Sequence, residues 1–573
     1  MPASALQRDL HTLAAHPFDV VVVGGGIFGA CAAWDAALRG LSVALVERGD
    51  FCQATSANHF KIVHGGIRYL QHLDLPRLRE SSRERNVLLR IAPHLVHPLP
   101  IAIPTYGHGL QGKAALLAGL TLYNGLAWGR NRGLRDPLRR VPWGHVLSRQ
   151  ECLRRFPQLE ARGLTGAVVV YDGQMYNPPR LVLAFLRAAA ARGAQLGNYL
   201  EATGLLCEGR RVCGVQVRDV LSGDTFALRA RVVLNATGPW APALLQQWLG
   251  LPLQPPPTFS RDACFVVGRR LLAGDCALAV PGRTRDPDAV LSRKQRHLFL
   301  VPWRDYTLVG VWHVVHRGAP DAFTVSDAEL EDFIAEVRQG CPGLSLTLDD
   351  VALWQAGLVL FGDNPPGATD LRYGKRSRLI DHRHTHGLAG LLTLIGVRAT
   401  VARHMAQKAI ALVGEQLGRR LGPAPTATTP LYGGDIADVA AFQAQAWSRF
   451  PASVPPAARQ ALLRNYGTAY EGVLRYCQED PTWAEPLPGA TVLRAEVIHA
   501  VREEMACKLS DVVFRRTDLG TGAWPQEAAL QACAALMARE LGWSPQRQQQ
   551  ELDEVREALR RRTPASEQVV VSF

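Results

Sequence analysis

The pattern of apolar and polar positions near the N-terminus predicts a strand, a helix and a second strand. Residues 20–23 are β-branched and apolar throughout, which is typical of a parallel strand buried on both faces of a sheet. An alanine-rich run at 30–38 predicts a helix, and a second apolar run at 42–46 predicts a neighbouring strand. The pattern therefore indicates a β-α-β unit.

Three glycines occupy the turn of this unit, and a glutamate follows its second strand. Gly24 permits a tight turn, Gly26 lets the backbone approach a diphosphate, and Gly29 lets the helix pack closely on the sheet. The N–H groups at the start of the helix favour phosphate, and Glu47 is placed to accept hydrogen bonds from an adenosine ribose. The spacing predicts a dinucleotide site without distinguishing FAD from NAD.

Further along, strand-like and helical runs alternate, as they do in mixed α/β folds. Strand-like runs occur at 168–170, 298–301, 308–311 and 391–395. Another, at 230–238, ends in Ala236, Thr237 and Gly238, small residues that let the backbone approach a bound dinucleotide. Such a late return strand resembles the flavoprotein arrangement in which insertions interrupt the FAD domain.

The composition changes after residue 421. Residues 422–434 are rich in Pro, Thr and Gly, which predicts a linker. Beyond it, apolar residues recur every three or four positions and form one helical packing stripe from 493 to 512: Leu493, Val497, Val501, Met505, Leu509 and Val512. We therefore expect an α/β region at 1–421, a linker at 422–434 and a helical domain at 435–573.

Composition limits the class of protein. The chain has 573 residues, 47% hydrophobic and 20% charged, which excludes a disordered chain, a small disulfide scaffold and a coiled coil. The net charge of +13 comes from arginine, since only six of the 64 basic residues are lysine, and no basic run carries interleaved aromatic residues. We therefore expect no nucleic-acid partner.

Cysteine usage and the first residues indicate the compartment. The 11 cysteines are odd in number, scattered and free of Cys-x-x-Cys, so the sequence predicts neither a disulfide framework nor a metal site. Residues 1–17 contain Arg8 and Asp9 and no apolar core, which is unlike a secretory signal. We expect a cytoplasmic chain.

One segment suggests membrane contact. Residues 114–129, AALLAGLTLYNGLAWG, are apolar but shorter than the ~20 residues that a spanning helix needs. Five cations follow: Arg130, Arg132, Arg135, Arg139 and Arg140. An apolar segment beside cations suits the bilayer interface, and a buried helix followed by a solvated loop is the alternative. We expect peripheral contact with the cytoplasmic face of the inner membrane.

Several longer motifs are spread over nearly the whole chain. They are GGGIFGA at 24–30, ATSANHFKIVHGGIRYL at 54–70, DGQM at 172–175, NATGPW at 235–240, VPW at 301–303 and the helical segment 495–519. Together they resemble the FAD-dependent glycerol-3-phosphate dehydrogenases, a family of membrane-associated flavoenzymes. The resemblance implies an FAD-binding Rossmann-like domain interleaved with an antiparallel-sheet substrate domain, and an α-helical C-terminal domain.

The resemblance also implies a reaction. The family moves a hydride from the carbon that carries the 2-hydroxyl of glycerol 3-phosphate to FAD, forms dihydroxyacetone phosphate, and passes electrons to quinone or, in some members, to oxygen. The expected partners are therefore a small-molecule substrate and a quinone or other electron acceptor. The flavin supplies the redox step, while the protein supplies position, charge and proton transfer. The oligomeric state is left open.

Motif matches and small-residue turns assign residues to the two ends of the site. Those expected at FAD are Gly24, Gly26, Gly29, Glu47, Thr55, Ser56, Gly65, Gly66, Thr237, Gly238, Gly396 and Thr400. Those expected at the substrate are His64, Arg68, Tyr69, His313, Arg378 and Arg398. In the HGGxRYL element, paired glycines permit close backbone approach, Arg68 offers a planar cation and Tyr69 offers a hydroxyl.

The sequence departs from the family at the substrate end. Val359 stands where the family has a phosphate-binding arginine, Cys264 aligns with a family histidine, and residues 310–313 replace a Gly-Thr-Thr-Asp turn. Two further motifs are altered at 178–180 and 396–403. We expect these changes to surround one pocket, where they remove a bidentate phosphate partner and add a thiol and an indole.

These departures leave alternatives open. The lost phosphate contact is compensated by Arg376, Arg378 or Arg398, or the substrate is another alcohol or amine, or the chain binds flavin without turnover. His64 and His313 are the candidate proton acceptors, because imidazole has the side-chain pKa nearest neutrality. His313 stands where the resemblance predicts an aspartate, with a structural histidine as the alternative.

Overall fold

The computed structural model describes residues 5–565, apart from 67–68, 70–71, 73, 108–119, 122–124, 126–128, 251, 254–255, 286–294, 363–373 and 375. Arg68 and most of the apolar segment 114–129 therefore lie outside the described residues.

The strands contribute to two sheets. In chain order they are β1 (Phe18–Val23), β2 (Val43–Val46), β3 (Ile62–Val63), β4 (Val96–Tyr106), β5 (His145–Ser148), β6 (Leu164–Met175), β7 (Gln195–Gly197), β8 (Leu200–Glu208), β9 (Arg211–Asp219), β10 (Thr225–Asn235), β11 (Phe259–Val267), β12 (Ala277–Arg285), β13 (Gln295–Trp303), β14 (Tyr306–His316), β15 (Val351–Leu360), β16 (Arg378–Asp381) and β17 (Leu391–Ile395).

The helices fall into two groups. Those of the α/β region are α1 (Leu10–Ala15), α2 (Ile27–Leu38), α3 (Leu75–Ile91), α4 (Arg149–Arg155), α5 (Pro178–Ala190), α6 (Ala241–Leu249), α7 (Asp327–Gly340), α8 (His382–Thr385) and α9 (Ala402–Gln416). Those that follow are α10 (Val439–Trp447), α11 (Pro456–Tyr466), α12 (Tyr470–Leu474), α13 (Tyr476–Glu479), α14 (Arg494–Glu503), α15 (Leu509–Asp511), α16 (Glu527–Leu541) and α17 (Pro545–Arg560).

The first sheet has the order β16-β17-β10-β1-β2-β7, with parallel pairing from β17 to β7. Its central strand β1 is buried on both faces, as a parallel strand under helices should be. Helices α2, α5 and α9 pack together and share one core with this sheet. The sheet confirms the Rossmann-like prediction.

The second sheet has the order β15-β11-β14-β13-β12-β4-β6-β3, and β5 pairs with β6. Its pairs are antiparallel except β12 with β4. Its strands come from two insertions in the first sheet, one between β2 and β7 and one between β10 and β16. The predicted interleaved substrate domain is therefore confirmed.

The C-terminal part is helical, although its apolar stripe does not lie on one helix. Helix α14 ends at Glu503, and a new helix begins at Leu509, so the expectation of continuous helix from 493 to 512 is wrong. The stripe still packs, because Leu493, Val497 and Val512 are fully buried. Periodicity predicted burial correctly, but the break is set by tertiary contacts: Glu504 is buried against Arg180 of α5 (2.5 Å).

The segment after residue 421 packs against the α/β region. The Leu431 N–H donates to the Ile91 carbonyl at the end of α3 (2.9 Å), and buried Thr426 accepts from Arg403 of α9 (2.7 Å). The predicted division into 1–421, 422–434 and 435–573 stays a prediction.

A buried ionic network joins the two parts of the chain. Asp50, which follows β2, accepts from Arg516 (2.6 and 2.7 Å) and from Arg515 (2.5 Å). Burial by itself raises the pKa of Asp50, but the two guanidinium groups outweigh burial and hold this pKa at about 2. Asp50 lies two residues before the loop at 52–64, which we call the cofactor loop because it carries Thr55 and Ser56. The network therefore fixes the helical part of the chain beside that loop.

The structure describes the five arginines at 130–140 that the sequence places beside the apolar segment. In the described part of the chain, no helix combines the length and apolar character needed to cross a bilayer. Arg132, Arg135 and Arg140 are exposed. Arg139, in contrast, is buried against Asp136 (3.2 Å), and Arg130 is buried with its guanidinium over the Trp143 ring. Two of the five predicted interface cations therefore have structural roles.

Candidate active site

A cavity of about 1090 Å³ lies where the two sheets meet. It is walled by the turn after β1, the loop at 52–64, the end of β10, one face of β11, β14 and β15, and residues 396–400. We call it the flavin cavity. It exceeds the ~300–1,000 Å³ that encloses a drug-sized ligand, so it has room for a dinucleotide together with a small substrate.

The glycine turn has the geometry that a diphosphate site needs. Gly24 has φ +110°, a conformation that favours glycine, and a Cβ there would lie 2.8 Å from the Ala236 carbonyl oxygen. A Cβ on Gly29 would lie 1.9 Å from the Gly24 carbonyl oxygen, so only glycine lets α2 start this close to the turn. Gly29 therefore acts by packing and does not line the cavity.

Glu47 closes this end of the cavity. Its carboxylate accepts from the N–H of Gly25 (2.7 Å) and of Gly49 (3.0 Å). Burial raises the pKa of Glu47, while the two backbone donors oppose the rise. On the other side, Thr237 is held by Asn235 Oδ1 through its N–H (3.2 Å) and hydroxyl (2.6 Å).

Thr55 and Ser56 connect the cofactor loop to both sheets. Ser56 Oγ accepts from the N–H of Ile27, the first residue of α2 (3.0 Å). Thr55 Oγ1 donates to the Leu358 carbonyl of β15 (3.1 Å), and a Cβ at Gly357 would lie 2.8 Å from Thr55. The pair thus places the substrate sheet against the dinucleotide turn.

Two separate motifs meet at the HGG turn. Asp172 of DGQM accepts from the Gly65 N–H (2.5 Å), and its other oxygen lies 3.5 Å from His64 Nδ1. The His64 N–H donates to Thr400 Oγ1 (3.1 Å). Gly66 has φ +90° and lines the cavity, whereas Gly65 supports the turn from behind, against Arg85. His64 lines the cavity with its side chain half exposed.

Tyr69 and Arg398 form one side of the substrate end. Arg398 donates to the Tyr69 hydroxyl, and its guanidinium lies 4.7 Å from the centre of the Tyr69 ring. Burial lowers the pKa of Arg398 to about 10, which leaves it a cation at neutral pH. Gly396 lies next to it, where a Cβ would overlap the Phe28 ring.

His313 and Asp262 form a second polar pair in the cavity lining. They are register partners on β14 and β11, and His313 Nδ1 lies 2.7 Å from Asp262 Oδ1. Both line the cavity, and the His313 side chain is 11% exposed. The sequence motifs pointed to His313 and not to Asp262, because only the pairing of two strands 51 positions apart brings the carboxylate to the imidazole.

The departures from the family fall partly in this cavity. Val359, Cys264 and Val311 line it, as expected for changes around one pocket. Trp312 does not: it points to the other face of β14 and packs on Phe333 (ring centres 4.4 Å apart), because successive strand residues face opposite sides. The expected indole in the pocket is therefore wrong.

Two predicted residues have other surroundings. Arg180 of the altered 178–180 motif is buried against Glu504, so that motif belongs to the joint between the two parts of the chain. Arg378 lies at the edge of the first sheet, where β16 pairs with β17, and is not among the described residues that line the cavity. Its predicted substrate role stays a prediction.

Lys61 is a cavity residue that the sequence motifs did not single out. Its ammonium donates to Gln355 and to the His59 carbonyl (3.3 Å), and it lies 4.5 Å from the centre of the Trp303 ring. Burial lowers the pKa of Lys61 to about 8. The sequence feature that could have indicated Lys61 is its position in the otherwise apolar run 60–63, directly before the HGG motif.

The residues present fit FAD. The turn at Gly24 leaves backbone space that a Cβ would fill, α2 begins at that turn, and the partly buried Glu47 carboxylate follows the neighbouring strand. Thr55, Ser56 and residues 396–400 extend the lining toward the substrate sheet. In the described residues, no group of His, Cys, Asp and Glu could hold a metal ion.

Two family models match the chain. Residues 19–394 match the FAD dependent oxidoreductase family, and residues 424–548 match the C-terminal domain of alpha-glycerophosphate oxidase. The first match covers more than half of the chain and contains the sites described above, apart from residues 396–400. The chain is therefore an FAD-dependent oxidoreductase with a helical C-terminal domain of known type.

Curated relatives extend the likeness over most of the chain. A glycerol-3-phosphate dehydrogenase of Synechocystis sp. is 30% identical over 518 residues, covering 87% of this chain and 88% of its own. The human mitochondrial glycerol-3-phosphate dehydrogenase is 31% identical, covering 95% and 73%. Among solved structures, the Bacillus halodurans glycerol-3-phosphate dehydrogenase complexed with FAD has a TM-score of 0.73 at 22% identity, covers 96% of each chain, and shows the same fold.

Proposed function

Because this chain belongs to the family of FAD-dependent glycerol-3-phosphate dehydrogenases, we propose that it oxidises the secondary hydroxyl of glycerol 3-phosphate to the ketone of dihydroxyacetone phosphate. The observation that carries the proposal is that a single cavity contains both the glycine turn at Gly24 and two polar pairs. These pairs are Asp262–His313 and Tyr69–Arg398. FAD supplies the acceptor for the hydride.

The Asp262–His313 pair is the proton acceptor of this proposal. With Nδ1–H donated to the Asp262 carboxylate, His313 keeps Nε2 as its basic nitrogen, and the carboxylate stabilises the imidazolium that forms. The substrate C–H bond breaks with its electron pair leaving as hydride, and the O–H proton passes to His313. The charges of this step then stay within one hydrogen-bonded pair, whose side chains are partly shielded from bulk water.

Arg398 is the anion partner of this proposal. Of Arg376, Arg378 and Arg398, the candidates to replace the family arginine at Val359, only Arg398 lines the described part of the flavin cavity. A charge-assisted hydrogen bond contributes ~1.5–3 kcal/mol, which corresponds to about ten- to a hundred-fold in affinity. We expect Arg398→Gln to weaken substrate binding by that factor in a flavin-reduction titration, and Arg154→Gln, which changes an exposed arginine away from the cavity, to leave it near the wild-type value.

Anaerobic mixing of the FAD-loaded protein with glycerol 3-phosphate tests the function. We expect the oxidised flavin absorbance to bleach in a saturable manner. Val359, Cys264 and Val311 give the pocket an apolar wall, which favours another secondary alcohol or an amine as the second candidate substrate. Bleaching by such a compound, without bleaching by glycerol 3-phosphate, would overturn the first proposal. Absence of bleaching by any of them would leave a flavin-binding protein.

For the electron acceptor we propose a quinone reached at the cytoplasmic face of a membrane. Leu138 and Trp143 are each 58% exposed beside exposed Arg132, Arg135 and Arg140, which supports interfacial contact. We expect binding to anionic vesicles that weakens with salt, because each cation near the surface contributes about 1 kcal/mol. Protein that stays in the supernatant at low salt would favour oxygen or a soluble acceptor instead.

A further inference from the structure

A second cavity opens beside the flavin cavity. It has a volume of about 510 Å³ and lies between helices α3 and α9, next to residues 376–377. Arg77, Val397 and Arg398 line both cavities, so the two are adjacent. We call this second cavity the basic groove, because six of its described lining residues are cations: Arg77, Arg79, Arg83, Arg376, Arg398 and Lys408.

Two of the three carboxylates in the groove are already neutralised. Asp74 is bound by Arg77, whose Nη2 donates to it (2.7 Å). Glu84 is buried and held at both oxygens by Arg403 of α9 (2.6 and 2.8 Å), which is not among the groove's lining residues. Glu84 is therefore fully taken up by Arg403, whereas Asp74 is bound by Arg77 and also has its pKa lowered by the charge of Arg376.

The third carboxylate, Glu80, lies 4.0 Å from Lys408 Nζ and 3.6 Å from His404 Nε2. After this pairing, Arg79, Arg83 and Arg376 remain exposed, and the described residues provide no ion-pair partner for any of them.

Arg398 completes this set at the inner end. Among the described residues its guanidinium donates only to the hydroxyls of Tyr69 and Ser81, and its buried Nε has no hydrogen-bond partner. Four guanidinium groups, none of which has a carboxylate of the described residues within ion-pair distance, therefore lead from the surface into the flavin cavity.

The arrangement favours a bound anion over a merely solvated surface. Arg79 and Arg83 are four residues apart on α3, so like charges are neighbours on the helix surface, and an anion bound between them would relieve their repulsion. A concave site lined by charges of one sign also concentrates ligands of the opposite sign and raises their association rate. Guanidinium groups match phosphate oxygens in a two-point geometry.

We propose that the basic groove binds the phosphate group of a phosphomonoester and admits that ligand to the flavin cavity. The admission step rests on the proposed function, because it takes the substrate to be phosphorylated. Phosphate binding in the groove does not rest on the proposed function, since it follows from the charges and shape of the groove.

The test uses the FAD-loaded full chain and inorganic phosphate as the probe. We expect phosphate to raise the protein's unfolding temperature, because it binds the folded state. The affinity for phosphate should fall as the sodium chloride concentration is raised. Combining Arg79→Gln, Arg83→Gln and Arg376→Gln should weaken phosphate binding about ten-fold or more. A matched control, Arg154→Gln with Arg162→Gln and Arg192→Gln, removes three exposed charges outside the groove and should keep the wild-type affinity.

A second measurement addresses entry of the substrate. At low salt, the second-order rate of flavin reduction by glycerol 3-phosphate should fall about ten-fold in the groove variant and stay unchanged in the control variant. Equal phosphate affinity in the two variants overturns the groove, whether or not glycerol 3-phosphate is a substrate. Equal reduction rates overturn admission through it. If wild-type flavin is not reduced while phosphate binding is lost only in the groove variant, the proposed function fails and the phosphate site stands.

Discussion

At the residue scale, the site depends on pairs rather than on single side chains. In the sequence, His313 is a candidate base by residue type and because it stands where the family resemblance predicts an aspartate, with a structural histidine as the alternative. The structure pairs it with Asp262 at 2.7 Å inside the flavin cavity. That contact turns an expectation about one residue into a proposal about a pair.

This pair gives the first prediction. Asp262→Asn and His313→Gln should each lower the limiting rate of flavin reduction about 100-fold or more, since a positioned base contributes ~10²–10⁴-fold. The substrate concentration at half saturation should change little. The double variant should be hardly slower than either single variant, because two residues that act as a unit are not additive. Stopped-flow flavin reduction measures all four proteins, and multiplied losses would contradict the pairing.

At the element scale, the β1–α2 turn depends on the absence of side chains. Gly29 is at the third helical position, and its hydrogen faces the Gly24 carbonyl directly. The sequence shows a glycine at the expected spacing, but only the structure shows how closely α2 approaches the Gly24 carbonyl there.

The second prediction concerns that space. Gly29→Ala would place a Cβ 1.9 Å from the Gly24 carbonyl oxygen, so α2 must move away from the diphosphate turn. We expect FAD affinity to fall at least ten-fold, measured by flavin released on dilution. Gly204→Ala is the matched control, since a Cβ there meets no atom within 4 Å, and it should retain the wild-type flavin content.

Helix α14 carries a buried carboxyl group with a perturbed pKa. Glu496 is 1% exposed and accepts from the Leu493 N–H (2.9 Å), and burial raises its pKa to about 8. Its folded-state pKa therefore lies above the unfolded value of ~4.3. Between these pH values the unfolded chain binds fewer protons than the folded one, so this group's contribution to stability falls as pH rises.

The third prediction follows from that sign. Relative to wild type, Glu496→Gln should become more stable as pH rises from 5 to 8, by roughly 1–3 kcal/mol in the free energy of unfolding by urea. Exposed Glu485→Gln should show a flat difference over the same range. If the difference in the free energy of unfolding between wild type and Glu496→Gln does not change with pH, Glu496 is ionised over the whole range and the prediction is wrong.

At the scale of the whole molecule, the ionic network at Asp50 holds the helical part against the cofactor loop. Its partners Arg515 and Arg516 lie more than 460 positions away in sequence. Removing the carboxylate would leave buried Arg516 without its counter-ion and Arg515 with Asp511 alone (2.6 Å).

The fourth prediction is that Asp50→Asn lowers the free energy of unfolding by ~3–5 kcal/mol, the usual cost of breaking a buried ion pair. We also expect weaker FAD retention, because the loop after β2 loses its support. Glu471→Gln breaks an exposed pair with Arg449 and should cost less than ~1 kcal/mol. Equal losses in the two variants would show that the buried network has no special role.

The local and periodic features of this protein could be predicted from the order of its residues. The apolar run before Gly24 and the glycine spacing predicted the Rossmann-like unit, because a buried parallel strand and a diphosphate turn each demand particular residues at fixed spacing. The spacing and the family resemblance together assigned site residues, and fourteen of them line the flavin cavity: Gly24, Gly26, Glu47, Thr55, Ser56, His64, Gly66, Tyr69, Thr237, Gly238, His313, Gly396, Arg398 and Thr400.

Which distant residues meet could be learned only from the folded chain. Alternation along β14 sent Trp312 into the core and His313 into the cavity, and strand pairing brought Asp262 to His313. Contacts to α5 broke the stripe after Glu503, although its period of three to four continues in the sequence. Periodicity reports which face of an element is apolar, whereas the partner of a polar group depends on how elements that are far apart in the chain pack together.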